Sequence, residues 1–102
     1  MKLLNGYELK TTFWEDFTIA EQFGEPAIKD TFTRAYKEWK DNIEYATELS
    51  IVMNLKCWEH YDKNNDELTR LYAEYYEDID TYILDSKEYS DKDKEYYLKT
   101  TD

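Results

Sequence analysis

Cys57 and His60 are the two side chains of this sequence whose types could supply a nucleophile and a base. The chain has one cysteine and one histidine, and one helical turn would bring these two residues to neighbouring positions. A zinc site needs four ligands of such types, and a catalytic Cys–His pair needs an open cleft. His60 shares a helical face with Leu49, Val52 and Met53, which predicts a partly buried, structural histidine. We therefore predict no catalytic residue, no metal site and no cofactor.

Two further ligand-binding motifs lack essential residues. The segment Asp62-Lys63-Asn64-Asn65-Asp66 begins like a calcium loop, but Glu67 stands where such a loop needs glycine and Ala73 replaces its closing glutamate. Because the chain has only two glycines, a glycine-rich phosphate loop is excluded. The acidic residues map to the outer faces of the predicted helices, so the inward-facing carboxylate pairs of di-iron proteins are not expected. These absences favour a protein that is not an enzyme.

Acidic side chains dominate the surface, since the net charge is −11 at pH 7. At about 100° per residue, Glu67, Glu74, Asp78 and Asp85 fall within about 40° of one another on one helix. Their axial spacings of roughly 6 to 10 Å have the order of phosphate repeats along DNA. Two interpretations stay open: a solvated face, or a surface that imitates a nucleic-acid backbone or docks on a basic partner.

Tyrosines accompany the acidic stripe formed by Glu67, Glu74, Asp78 and Asp85. The chain has eleven, and the adjacent pairs Tyr75-Tyr76 and Tyr96-Tyr97 cannot both face one core from a helix. Packing at the edge of the core explains most of them, and a tyrosine-rimmed contact surface explains the rest, because interfaces are enriched in tyrosine. The predicted partner-binding residues are Glu67, Glu74, Tyr76, Glu77, Asp78 and Asp85.

Segment 26–40 has a local positive charge and supports an alternative function. It follows Ile19-Ala20-Glu21-Gln22-Phe23-Gly24, which resembles the first half of a helix-turn-helix. Glu25 and Asp30 depart from that motif, and a plain helical hairpin explains the same pattern. A DNA-binding regulator of this kind would gain affinity as a homodimer, although the negative net charge disfavours direct nucleic-acid binding. Its DNA contacts would be Lys29, Thr33, Arg34 and Lys37.

Helices must position these side chains, because the chain contains one proline and two glycines. Thr12 and Glu15 form the sequence of a capping box at the start of the first helix. Gly24 predicts a left-handed stop, and Pro26 is expected as the first residue of the second helix. Asp41 is expected to cap a third helix over about residues 42–63.

The last two helices follow a polar turn. Asn65 predicts the cap of a fourth helix that extends to about residue 86. Ser90-Asp91-Lys92-Asp93 predicts the start of a short fifth helix, which has little apolar surface and is expected to fray.

The third helix is apolar nearly all round, which is typical of a central, buried element. At the N-terminus, Asn5-Gly6 is a hairpin signal, but an isolated ribbon is marginal and a packed arm is favoured. The predicted fold is therefore all-α: one domain, 1–102, that forms a compact bundle of four main helices plus a short C-terminal helix and an extended N-terminal arm. The large rings, including Trp14, Trp58 and all four phenylalanines, should fill its core. The core residues we predict individually are Phe17, Phe32, Trp39, Leu49, Val52, Met53, Tyr72 and Ile79.

Cysteine content and hydropathy indicate a compartment. One cysteine leaves no internal disulfide and fits a reducing environment. No apolar run reaches the roughly 18 residues that a bilayer span requires, so no membrane partner is expected. The opening residues turn polar too early for a secretory signal. We expect a cytoplasmic protein.

The chain resembles small, uncharacterised acidic proteins that bacterial conjugative elements and prophages carry, through the residues Met1-Lys2-Leu3-Leu4-Asn5-Gly6-Tyr7-Glu8-Leu9 and Ala27-Ile28-Lys29-Asp30-Thr31-Phe32. The resemblance covers most of the chain but contains no functional motif, so it transfers no catalytic or binding residue. It implies an accessory role in mobile-element biology. Such elements often encode acidic inhibitors of host defence, which favours a basic or nucleic-acid-binding protein as the partner.

Overall fold

The computed structural model describes residues 6–101 of the protein. Helices make up most of this range, and none of its residues lies in a strand. The helices are α1 (Phe13–Glu21), α2 (Glu25–Trp39), α3 (Ile43–Asp62), α4 (Asp66–Asp85) and α5 (Asp91–Thr101). The predicted all-α bundle of four main helices with a short C-terminal helix is confirmed.

Asparagine side chains cap the two longest helices. The Asn42 side chain accepts a hydrogen bond from the Tyr45 N–H at 3.2 Å, and the Asn65 side chain accepts one from the Leu68 N–H at 3.2 Å. The predicted cap at Asn65 is confirmed, whereas the cap at Asp41 is wrong by one residue. Asn42 has the extended backbone that an N-cap requires (φ −108°, ψ 109°), and the Asp41 carboxylate instead accepts a hydrogen bond from the Tyr82 hydroxyl.

The predicted capping box of α1 is also wrong. Thr12 occupies the N-cap position, but its side chain makes no capping hydrogen bond. Its hydroxyl lies 3.0 Å from the Asp16 carboxylate, to which it donates. The first N–H of the helix, that of Phe13, instead donates to the hydroxyl of Thr11, one residue before the predicted cap, at 3.2 Å.

Gly24 separates α1 from α2, as the sequence predicts, but its ψ of 179° is extended, so it is not the predicted left-handed stop. Its φ of +102° lies in a region that residues with a side chain rarely adopt. The glycine occupies the N-cap position of α2, and the helix begins at Glu25. Pro26 is thus the second residue of α2 and not the first, a position where its missing N–H is still harmless.

Helix α3 lies at the centre of the bundle and contacts each of the other four helices. Ala46, Leu49, Val52 and Met53 on this helix are fully enclosed. The many apolar residues at the centre of α3 fit this central, buried position, as the sequence indicates, although the helix also buries polar residues such as Glu48 and Lys56. The predicted core residues that the structure confirms as buried are Phe17, Phe32, Leu49, Val52, Met53, Tyr72 and Ile79.

Several large aromatic side chains lie outside this core, so the prediction that all of them fill it is wrong. Trp39 is only partly buried, with its ring edge-on to Tyr45 at 4.5 Å. Phe23 is 75% exposed and Trp58 is 57% exposed. Phe23 lies beyond the last residue of α1, and the Trp58 ring meets only the exposed Tyr61 ring among its aromatic contacts (5.5 Å).

Helix α5 is attached to the bundle through Tyr97. This side chain is 1% exposed, its hydroxyl lies 2.8 Å from Ser50 Oγ on α3, and it also donates to Asp80 on α4. The short helix expected to fray is therefore anchored at its centre.

A non-helical arm, residues 6–12, precedes α1 and crosses α3. The Glu48 carboxylate, which is completely buried, accepts hydrogen bonds from the backbone N–H groups of Lys10 and Thr11 at 2.8 Å each. The hydroxyls of Thr11 and Tyr7 donate to the same carboxylate. The expectation that acidic residues occupy only outer faces is wrong at Glu48, because the arm supplies the donors that burial of a carboxylate requires. The predicted turn at Asn5-Gly6 falls partly outside the described residues.

Candidate functional site

Exposed carboxylates run along α4, as the sequence predicts. Glu67, Glu74, Asp78 and Asp85 are all exposed. The buried side chains of the same helix lie on another face and pack into the core; they are Tyr72, Tyr75, Ile79 and Ile83. The acidic face turns toward α2, because Glu67 contacts the first residue of that helix.

Glu25 joins this stripe from the first turn of α2. Its side chain is hydrogen-bonded to that of Glu67, which raises the pKa of the Glu25 carboxyl; desolvation and the negative charges of Glu67 and Glu74 raise it further. Lys29, one turn later, lowers this pKa but does not cancel the shift. Two neighbouring carboxyl groups disfavour each other's charged form, which accounts for the direction of the shift. Residues Glu25, Glu67, Glu74 and Asp78 are called the acidic cluster below.

Asp78 and Tyr75 lie at the inner edge of the acidic cluster. Partial burial raises the pKa of Asp78, and two neighbouring glutamates add to the shift. The Tyr75 ring stacks on Phe32 of α2, with centroids 4.2 Å apart and planes 7° apart. The Tyr75 hydroxyl is buried without a hydrogen-bond partner, and burial followed by the charges of the cluster raises its pKa. The cluster therefore adjoins a phenol whose hydrogen-bonding capacity is unused.

Lys37 of α2 and Lys40, which follows that helix, line the same groove as part of the acidic face. A cavity of about 680 Å³ lies between α2 and α4. Its lining residues are Phe32, Thr33, Tyr36, Lys37, Lys40, Glu77, Asp78 and Thr81. The sequence presented the acidic and the basic residues as two alternative surfaces, whereas the structure brings Lys37 and Asp78 together in one α2–α4 groove.

Arg34 is separated from the other basic residues of α2. Its guanidinium pairs with Asp30, one turn earlier, at 3.1 Å. It lines a different groove, between α1 and α2, while Lys29 lies beside Glu25. The four predicted DNA contacts are thus all exposed, but acidic side chains interrupt them and they form no continuous positive face.

Tyr76 lies apart from the acidic cluster. Its partly buried hydroxyl interacts with Tyr97 of α5 and lies near Asp80. At about 100° per residue, this direction is nearly opposite to that of Glu74 and Asp78. The tyrosines that border the cluster are instead Tyr75 and Tyr36, which the period of α4 alone could not show because Tyr36 belongs to α2.

Cys57 and His60 lie in the packing between helices. The Cys57 thiol donates to the Thr69 carbonyl oxygen at 3.4 Å, and burial raises its pKa. His60 is 6% exposed, so it is buried more completely than the sequence predicts, and its ring stacks on that of Tyr72 at 5.6 Å. Within residues 6–101, no three histidine, cysteine, aspartate or glutamate side chains are grouped as ligands for a metal ion.

A buried ionic network joins α1 to α3, which again contradicts the expectation that carboxylates occupy only wetted faces. The Lys56 ammonium is 1% exposed and lies 3.4 Å from Glu21 and 3.3 Å from Glu59. It donates to the Thr18 hydroxyl at 2.7 Å, and it lies 4.2 Å from the centre of the Trp14 ring. These internal contacts make the network a structural junction.

Tyr72 and His60 complete the same network from α4 and α3. The Tyr72 hydroxyl donates to Glu21 Oε2 at 2.7 Å, and His60 Nε2 lies 3.0 Å from that oxygen. The sequence contained one signal for this arrangement: a central helix that is covered all round must also bury its charged residues, and Lys56 lies on α3.

None of the helices in the described range has the length and the apolar run needed to cross a bilayer. Comparison of the chain with family models, with curated proteins and with solved structures finds no match.

Proposed function

We propose that this protein is a non-enzymatic binding protein that docks a basic segment of a protein partner on its acidic cluster. The row of exposed carboxylates on α4, which Glu25 of α2 joins, carries the proposal. Two exposed acids held against each other are unfavourable in the isolated protein, and a cationic side chain from a partner relieves their repulsion. An arginine suits the site best, because its planar guanidinium can hydrogen-bond two carboxylates at once.

The surroundings of the cluster support a protein partner over a nucleic acid. The α2–α4 groove combines Lys37 and Lys40 with Glu77 and Asp78, so phosphates placed along it would meet carboxylates at the same time as lysines. A polypeptide with charges of both signs matches such a groove, and the partly exposed Tyr36 ring offers it apolar area. The DNA-binding alternative through Lys29, Thr33, Arg34 and Lys37 gains no specific observation.

The biological setting is part of the same proposal. The resemblance to acidic proteins of conjugative elements and prophages supports an accessory role in a mobile element, with a basic or nucleic-acid-binding protein as the target. The single, free Cys57 supports a cytoplasmic location, where cysteines stay reduced. If the acidic stripe acts as a nucleic-acid mimic, DNA should compete with this protein for the captured partner.

The test compares two variants of equal net charge. Glu67→Gln, Glu74→Gln and Asp78→Asn together neutralise three acids of the cluster. Glu15→Gln, Glu88→Gln and Glu95→Gln together neutralise three exposed acids elsewhere on the surface. Each variant and the unchanged protein capture partners from host lysate, and affinity for the purified partner is then measured at low and high salt.

We expect the cluster variant to lose about tenfold in affinity and most of its salt dependence, since exposed charge pairs contribute less than about 1 kcal/mol each and are screened by salt. The control variant should lose much less. Equal affinity of the two variants would show that the stripe is only a solvated face. A gel shift with DNA at low salt tests the alternative, and a specific shift at micromolar protein would favour it.

A further inference from the structure

The α1–α2 groove lies on the other side of α2 from the acidic cluster. It encloses a cavity of about 520 Å³ that opens to solvent. Its apolar lining comes from α1, from the turn that follows it and from α2; these residues are Phe13, Ile19, Ala20, Phe23, Ala27, Ala35 and Trp39. Alanines occupy three of these positions.

Two of the apolar side chains that line this groove are largely exposed to solvent. Phe23 is 75% exposed and Ile19 is 55% exposed, and they lie one helical turn apart along α1 and the turn that follows it. Scattered apolar residues on a surface are ordinary, whereas exposed ones that adjoin a groove mark contact sites. Burying them offers a partner its largest hydrophobic gain on this side of the molecule.

The polar residues at the edge of the groove are mainly acidic. Asp16, Asp30 and Glu38 line it together with one basic residue, Arg34. The Arg34 guanidinium is already paired with Asp30 at 3.1 Å. A second copy of the chain would bring the same acids, and a molecule of net charge −11, against this edge. Charge complementarity therefore favours an occupant with basic flanks.

The walls of the groove determine the shape of that occupant. Both walls are helices, and neither offers unpaired strand N–H groups to which an extended peptide could add. The lining residues of α2 run from Ala27 to Trp39, a length of about 18 Å at 1.5 Å per residue. This length matches about three turns of a third helix, whose side-chain ridge can pack between two helices.

We propose that the α1–α2 groove binds an amphipathic helix of a protein partner, about three turns long, with an apolar ridge flanked by lysine or arginine. Phe23 and Ile19 contact the apolar side chains of the bound helix. The carboxylates of Asp16, Asp30 and Glu38 pair with the lysine or arginine side chains beside them. The site is separate from the acidic cluster, so it does not depend on the function proposed above.

The test uses synthetic peptides and four versions of the protein. The first peptide has leucines spaced three and four residues apart along one face and lysines beside them. A second peptide replaces its lysines by glutamate, and a third keeps the lysines but replaces the leucines by serine. Fluorescence anisotropy measures binding of each peptide to the unchanged protein, to Phe23→Ser, to Ile19→Ser and to Leu98→Ser. Leu98 is the matched control, because it is 52% exposed on α5, outside the groove.

The leucine–lysine peptide should bind the unchanged protein and Leu98→Ser alike. Phe23→Ser and Ile19→Ser should each weaken it about tenfold, the change that loss of one buried apolar side chain produces, and the other two peptides should bind far more weakly. Circular dichroism checks that every variant is folded.

Four outcomes would overturn the proposal. The first is equal binding by the groove variants and the control. The second is equal binding of the serine peptide, which would reduce the interaction to charge. The third is a dimer in sedimentation that Phe23→Ser dissociates, which would make a second copy the occupant. The fourth uses the acidic-cluster variant described above as a fifth version of the protein: loss of peptide binding in that variant, with the groove variants unaffected, would assign the peptide to the cluster.

Discussion

Lys56 of α3 and Glu21 of α1 form an ion pair 3.4 Å long in which the lysine side chain is 1% exposed. Removing such a charge from water costs several kcal/mol, and only close partners offset that cost. Two further groups help to offset the cost of burying the Lys56 ammonium: the Glu59 carboxylate at 3.3 Å and the Thr18 hydroxyl at 2.7 Å. The stability of the junction between α1 and α3 therefore depends on the complete network.

Lys56→Met should destabilise the protein by about 3 kcal/mol or more, because it leaves the Glu21 and Glu59 carboxylates without their shared cation. Urea unfolding at neutral pH measures the loss. Lys63→Met is the matched control, since Lys63 pairs with the same Glu59 at 3.1 Å but is 64% exposed, and its loss should stay below about 1 kcal/mol. A loss in Lys56→Met as small as that of the control would mean that the buried network contributes nothing net.

Glu48→Gln should loosen the N-terminal arm while the helices remain intact. The carboxylate accepts hydrogen bonds from two N–H groups and two hydroxyls, and an amide would turn an NH₂ group toward some of these donors. The expected cost is about 1 to 3 kcal/mol. Faster hydrogen exchange at the Lys10 and Thr11 amides would show that the loss of stability is confined to the arm.

Glu44→Gln provides the comparison for this variant. Glu44 lies one turn earlier on α3 and is exposed, with only a 4.0 Å contact to the Lys10 ammonium. Its substitution should change stability by less than about 0.5 kcal/mol. If the two variants exchange their amides at the same rate, Glu48 does not hold the arm.

Asp78→Asn should stabilise the protein at neutral pH and do so less in acid. The pKa of Asp78 is raised in the folded protein, first by partial burial and then by its acidic neighbours. The folded state thus binds more protons than the unfolded state just above the ordinary pKa, and its stability falls as pH rises through that window. At pH 7 asparagine removes the free-energy cost of keeping Asp78 charged in the folded protein. At about pH 4 the aspartate of the unchanged protein is already partly protonated, so the substitution gains less.

Urea midpoints at the two pH values measure the effect of Asp78→Asn. Glu95→Gln serves as the control, because Glu95 pairs with Lys99 at 2.8 Å and its neutralisation should not stabilise. A midpoint that rises equally at both pH values in Asp78→Asn would rule out a raised pKa as the cause.

Tyr72 and Tyr97 should resist ionisation until the chain unfolds. Burial, followed by a hydrogen bond to Glu21 or Asp80 respectively, raises the pKa of each phenol far above its usual value. The stability of their neutral forms is fully present below about pH 10 and is lost at higher pH, because the unfolded chain ionises first. A spectrophotometric titration should show a late phase that coincides with loss of helix by circular dichroism. Tyr97→Phe should reduce its amplitude, and an unchanged late phase would contradict the assignment.

Local signals were sufficient to predict the helices. Asn65 caps α4 where the sequence indicates, and the period of α4 correctly separates its buried face from its acidic stripe. The cap of α3 is wrong by one residue because Asp41 and Asn42 are equally good capping types, and only the tertiary contact between Asp41 and Tyr82 distinguishes them.

The buried charges and the acidic cluster depend on contacts between distant segments. Glu48 is buried by residues 37 to 41 positions earlier, and its sequence neighbours do not show that those donors exist. Glu25 approaches Glu67 only because α2 packs beside α4. Phe23 is an apolar residue of a type usually found in the core, but α1 ends before it. Helical periodicity does not predict the orientation of a side chain in a turn.

The Lys56 ammonium above the Trp14 ring makes the fluorescence of Trp14 sensitive to the position of α1. The Lys56 ammonium lies 4.2 Å from the centre of the indole ring, where a positive charge alters the energy of the indole excited state. Trp39 meets only the Tyr45 ring among aromatic and cationic groups, and Trp58 is largely exposed. Detachment of α1 from α3 would remove the charge from Trp14. Trp39 also lines the α1–α2 groove, so a variant without Trp39 would assign a shift in tryptophan emission wavelength to the separation of α1 from α3.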